Sequence, residues 1–118
     1  MKKTLYVYKA FVSDVYDGDT CRVEIDLGLH TWIKDEKIRL SRINVPELKG
    51  KERIEGIKSR DFLRSLILKK EVLIKTIKDK KGKYGRYLGE VYLEKKNGNF
   101  VNINDLLVKK GYAVYKKY

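Results

Sequence analysis

A single long stretch of helical periodicity, set inside a chain otherwise patterned for strands, is what most constrains this fold. From about residue 52 to 69 the apolar residues Ile54, Ile57, Phe62, Leu66 and Ile67 recur at helical spacing among charged residues. On either side the period drops to two. Residues from about 4 to 16 are rich in Tyr, Val and Phe, and from 20 to 27 Cys21, Val23, Ile25 and Leu27 alternate with Arg22, Glu24 and Asp26. That is the pattern of two antiparallel strands meeting at an Asp-Gly pair. Gly28 to Asp35 reads as a loop. A third strand is expected over about 36–43, with Ile38 and Leu40 on one face and Arg39 and Ser41 on the other. Pro46 ends it.

Beyond the helix, Val72, Ile74 and Thr76 mark a fourth strand, a Lys/Gly loop fills 79–85, and Tyr87 to Leu93 make a fifth. Asn97-Gly98 signals a tight turn. Asn102 or Asn104 can cap a short helix carrying Ile103, Leu106 and Leu107, which Gly111 would end in the left-handed conformation. A chain of this length buries roughly two-thirds of the surface its unfolded state exposes, enough for one core, so residues 1–118 are expected to form a single domain. Five strands with the long helix between the third and fourth, and no internal repeat, predict a β-barrel with helices. The order is that of a five-stranded OB-fold.

Composition narrows the chemistry. With 28 Lys and Arg against 16 Asp and Glu, the net charge of +12 points towards a polyanionic partner, nucleic acid first among them. The one cysteine, Cys21, excludes an intramolecular disulfide and a thiolate zinc cluster, and its place in the alternating run makes it a small core residue. His30, the only histidine, stands in the loop with Trp32 without a visible catalytic partner, which argues against Ser-His-Asp and Cys-His hydrolysis. Met1-Lys2-Lys3 is followed by no apolar h-region, and no segment approaches the apolar length of a membrane span. A cytoplasmic monomer with no membrane partner is the default expectation, with secretion of a processed form left open.

Four charged stations carry the functional signal: Asp17-Gly18-Asp19-Thr20, Arg39, Asn44-Val45-Pro46-Glu47, and Lys83-Tyr84-Gly85-Arg86. Each has an ordinary reading by itself, as a turn, a strand end or a solvated basic loop. The spacing of Asp14, Asp17 and Asp19 does not fit an EF-hand, because the glycine and closing glutamate sit at the wrong offsets. Taken in order, however, the stations supply an acidic metal ligand, two guanidinium forks and a carboxylate, which are what metal-assisted phosphodiester cleavage needs.

Together the four stations resemble the staphylococcal nuclease (thermonuclease) family from about Val12 to Tyr115. The resemblance implies an OB-fold nuclease that binds Ca²⁺ and hydrolyses DNA and RNA, single-stranded or locally opened, to 3′-phosphate ends. Carried over by position, it makes Asp19 the main Ca²⁺ ligand, with Asn44 and the Val45 carbonyl beside it. Glu47 matches the residue that holds the attacking water. Arg39 and Arg86 match the pair that grips the scissile phosphate. Lys83 and Tyr84 match contacts to a terminal phosphate, and Tyr115, with Tyr118 as a rival, matches a tyrosine that stacks on a base.

This chain departs from the family pattern at three points. Asn44 stands where the family has an aspartate, removing one negative charge and lowering the expected metal affinity. The loop after Glu47 is shorter, and the sequence reaches Tyr118 without the family's C-terminal helix. The alternative reading is a noncatalytic OB-fold module that binds nucleic acid or a protein. Asn44 favours it, whereas Asp19 and Glu47 argue against it, because carboxylates repel a polyanion unless a cation intervenes.

Overall fold

The computed structural model describes residues 5–81 and 85–116, with backbone alone for 78–80. Strands β1 (Val7–Asp17), β2 (Thr20–Asp26) and β3 (Trp32–Leu40) form an antiparallel meander. After the short β4 (Ile43–Asn44), a 3₁₀ turn over Gly50–Glu52 leads into α1 (Arg53–Ile67). Then come β5 (Glu71–Lys81), β6 (Tyr87–Glu94), β7 (Phe100–Asn102), α2 (Ile103–Lys109) and β8 (Val114–Tyr115).

β5 pairs with the other edge of β1, and β6 with β5, both antiparallel. The barrel closes where β6 runs parallel to β3, with Ile38 opposite Tyr87 and Leu40 opposite Gly89. Five strands thus form the closed wall of an OB-fold, and β7 extends it beyond β6. Inward-facing Val12, Val15, Cys21, Val23, Ile38, Leu40, Ile74 and Val91 fill the core, closed by Leu63 and Ile67 of α1 and Ile103 and Leu107 of α2. Burial pushes the Cys21 thiol up to about 12, with the Asp17 charge adding to it, so Cys21 is packing material and inert.

The elements differ from the sequence expectation in instructive ways. β3 begins at Trp32 rather than near 36, because Leu27 N–H donates to Thr31 O at 2.8 Å and Ile33 pairs with Ile25. The charged run from Lys34 resembles a loop in sequence, but cross-strand pairing sustains the strand, with Asp35 at φ 60° where the register shifts. β3 also ends at Leu40 rather than 43. Arg42 adopts φ 69°, and the chain turns into β4, which pairs with β8. Such two-residue strands carry too little pattern to be read from sequence.

In α1 the buried stripe is Gly56, Ser59, Leu63 and Ile67, whereas Ile54 lies 69% exposed. The stripe is small at its N-terminal end because other backbone comes close there. A Cβ on Gly56 would lie 2.2 Å from the Glu47 carbonyl oxygen, and one on Gly18 would lie 2.7 Å from Ser59 Cβ. Periodicity reports apolar residues only, so it misses a stripe built from glycine and serine. At α2, Asn102 is the cap, accepting from Asp105 N–H at 3.0 Å. Asn104 is fully buried and accepts from Val91 N–H instead. Gly111 follows with φ 84°. Among the described residues no helix is long and apolar enough to cross a membrane.

Candidate active site at the barrel seam

The site gathers at the end of the barrel where the β1–β2 turn, the end of β3 and the start of β6 meet. Asp17 accepts from Asp19 N–H at 3.0 Å, which closes the turn and turns Asp19 inward to 7% exposure. Two carboxyl groups are thereby held together. Burial lifts the Asp19 carboxyl to about 7, helped by the neighbouring Asp17 carboxylate and opposed by Arg39 and the Thr20 hydroxyl.

Arg39 sits opposite Thr20 on the neighbouring strand, pointing out of the barrel as its alternation requires. Its Nη2 lies 3.1 Å from Asp19 Oδ2, and it donates to Ile43 O at 2.9 Å and to Asn44 Oδ1 at 3.1 Å. Its Nη1 donates to Leu40 O. Three oxygens thus converge on one cationic nitrogen. Arg86 reaches the same corner from β6, its Nη1 3.4 Å from Thr20 Oγ1. The parallel seam sets this approach, because Leu88 is the partner of Arg39 and Arg86 precedes it by two residues.

Val45 packs against Gly18 and so holds the 44–47 segment on the β1–β2 turn. Glu47 is exposed, with its N–H taken by Glu52 Oε1 at 3.0 Å, and it lines a cavity of about 280 Å³ together with Asp17, Tyr16, Leu48 and Lys49. Asp19, Arg39 and Asn44, expected from sequence to act together, are thus in direct contact, Arg86 touches the same turn at Thr20, and Val45 and Glu47 flank it at Gly18 and Asp17. Lys83, Tyr84 and Tyr118 lie outside the described residues. Tyr115 joins a different cluster, where its hydroxyl donates to Asp105 Oδ1 at 2.9 Å and the Arg42 guanidinium stands 5.7 Å from its ring centre.

Among the described residues no group of three or more His, Cys, Asp or Glu gathers as a metal cluster. The oxygens that do gather are mixed: the Asp19 carboxylate, the Asn44 amide and the Ile43 carbonyl rather than the Val45 carbonyl expected from sequence, all turned on Arg39 Nη2. A guanidinium nitrogen stands there in place of a cation, and carboxylate with amide and carbonyl oxygen is a donor set that suits a hard ion such as Ca²⁺. Sequence reasoning gave no part to Gly56, which lets the 46–47 segment lie on α1. Its signal was available, since a glycine inside a helical pattern usually has a packing reason.

The family model for staphylococcal nuclease homologues matches residues 37–118, which include the end of β3, the Asn44–Glu47 segment and Arg86. A protein of Methanocaldococcus jannaschii, the uncharacterized MJ1439, is 32% identical over an alignment of 127 residues. That alignment covers 90% of this chain and 58% of MJ1439, so the chain spans less than two-thirds of the relative's length. With a barrel closed at the β3–β6 seam and the two arginines brought to one corner by it, the chain belongs to the family of staphylococcal nuclease homologues.

Proposed function

We propose that this protein is a Ca²⁺-dependent nuclease that hydrolyses DNA, RNA or both to 3′-phosphate ends. The observation that carries the reading is the meeting of Arg39 and Arg86 beside a paired Asp17 and Asp19 in a chain with a net charge of +12. Carboxylates crowded together in a basic protein that binds polyanions make chemical sense when a cation joins them to the substrate.

Arg86 and, on exchanging its present acceptors for phosphate, Arg39 present planar forks to the nonbridging oxygens of one phosphate. Glu47, which lines a cavity with Asp17 of the β1–β2 turn, holds the attacking water. The water oxygen attacks phosphorus in line, the P–O5′ bond breaks, and the 5′ oxygen leaves as a hydroxyl after taking up a proton. Negative charge grows on the nonbridging oxygens during attack, so fixed guanidiniums favour the transition state over the ground state. A bound Ca²⁺, held by Asp19, Asn44 Oδ1 and the Val45 carbonyl, would neutralise the same charge. Asn44 makes this a weaker ion site than one with two aspartates.

The test is digestion of plasmid and of single-stranded RNA with Ca²⁺, with chelator, and with an Arg86→Ala/Glu47→Ser variant. Cleavage that needs Ca²⁺ and disappears in the variant supports the reading. Equal cleavage by the variant overturns it. Salt-dependent binding without cleavage at any pH selects the noncatalytic module.

A further inference from the structure

Beside the catalytic corner lies a larger cavity, of about 740 Å³, lined by Tyr16, Thr20, Arg22, Lys37, Lys49 and Arg86. Four of the six are cations and none is an acid. Arg22 is 2.7 Å from Asp35, an exposed partner outside the lining. Among the described residues neither Lys37 nor Lys49 takes part in an ion pair. Tyr16, 67% exposed on β1, spreads a large ring into solvent at the rim. The cavity adjoins the smaller one beside Glu47, and Tyr16 and Lys49 line both.

Strand geometry sets the repeat. Thr20 is paired with Arg39, and Arg22 with Lys37, so a second row of cations stands two residues along the same strands. Two residues of β-strand span about 7 Å, comparable to the step between successive phosphates on an extended single strand. A patch of lysines meant only for solubility has no reason to share that register, to exclude acids from its lining or to carry an exposed aromatic ring.

We propose that Tyr16, Arg22, Lys37 and Lys49 form a second nucleotide subsite for single-stranded nucleic acid. Arg22 and Lys37 take the phosphate next to the scissile one, and the Tyr16 ring stacks on its base. The inference rests on the nuclease reading for the position of the scissile phosphate, but it concerns binding and is tested without cleavage. Recognition of this kind favours a chain of nucleotides over a single one, because each added phosphate that finds a cation releases counterions, and each base that finds a ring adds stacking.

The experiment is a fluorescence anisotropy titration of the whole protein, in chelator, with end-labelled oligothymidylates of increasing length and at several salt concentrations. Wild-type affinity should rise with length. Arg22→Gln/Lys37→Gln should flatten that rise, weaken binding of the longest oligomer about tenfold and reduce the salt slope by roughly 1 to 2. Tyr16→Ser should weaken it about tenfold with the salt slope unchanged. Lys95→Gln/Lys96→Gln, on the exposed β6–β7 turn, is the control for diffuse attraction. Wild-type binding by the Arg22/Lys37 variant overturns the proposal, as does equal weakening by the control. Failure of the nuclease reading would appear as absent cleavage in Ca²⁺ while these binding shifts remain.

Discussion

Asp19 and Glu90 are both carboxylates drawn into the barrel wall, and the protein treats them in opposite ways. Glu90 Oε1 and Oε2 take up Arg42, Asn102 at 3.0 Å, Asn104 at 3.2 Å and the Ser41 hydroxyl. Burial alone would raise its pKa, but these donors, with Arg42 foremost, outweigh it and hold the carboxyl below its usual range. Asp19 has an arginine too, yet burial, with Asp17 in the same turn adding to it, outweighs Arg39 and holds the carboxyl up at about 7. One region is over-supplied with donors and the other is short of positive charge. The first pins the β3–β4 bend, β6 and α2 together. The second keeps a carboxyl whose ionisation the fold opposes, a local conflict of the kind that functional sites tend to carry.

Substitutions at four positions would sharpen or break that contrast. The largest effect is expected from Arg86→Ala, which should lower kcat by a hundredfold or more, or about 3 kcal/mol, with a smaller change in KM. Steady-state kinetics on a defined oligonucleotide would show it, and a loss confined to KM would mean that the corner only binds. Next is Gly56→Ala. Its Cβ would meet the Glu47 carbonyl at 2.2 Å, so the segment must move, and kcat should fall about tenfold. A variant with normal kinetics would show that Glu47 needs no fixed placement.

Smaller effects are expected in stability. Glu90→Ala removes the acceptor shared by Arg42, Asn102 and Ser41, although Arg42 keeps Asp105, and should cost about 2 kcal/mol in a urea melt at neutral pH. Because the folded pKa of Glu90 is depressed, its contribution is present above the ordinary carboxylate value and is lost as pH falls through the folded one. Glu90→Gln should therefore flatten the acid limb of the stability curve. Asp19→Asn should act with the other sign. Its folded pKa is raised, so ionised Asp19 costs stability as pH climbs through about 7. The amide should gain on the order of 1 kcal/mol above that pH, since it keeps an acceptor for Arg39, and nothing below about pH 4. Asparagine that destabilises at pH 8 would mean that the Arg39 pair outweighs the crowding.

The barrel was legible in the sequence because its walls are periodic. Cys21, Val23 and Ile25 alternate inward, Arg39 points outward as expected, and a strand-rich chain with one long helix leaves few arrangements. The stations of the candidate site could be picked out because each is short and local: Asp17 to Thr20 makes a turn, and Asn44 to Glu47 begins at a strand end. What escaped depends on pairs distant in sequence. The small stripe of α1 reflects the approach of Glu47 and Ser59 to two glycines. The Arg42–Glu90–Asp105 cluster joins three elements whose charges look like ordinary surface residues one at a time. The second row of cations is visible only once Arg22 and Lys37 are known to be cross-strand partners.

The parallel seam between β3 and β6 has a temporal consequence. Arg39 and Arg86 come from opposite sides of the long helix and are joined only when the barrel's last side is shut. Long-range pairings of this kind form late in folding. A chain on the ribosome that has not yet emerged through β6 holds Arg39 without Arg86, and the corner between them does not yet exist. The candidate site is thus assembled only by the pairing that completes the wall, so its two arginines cannot meet in an unfinished copy.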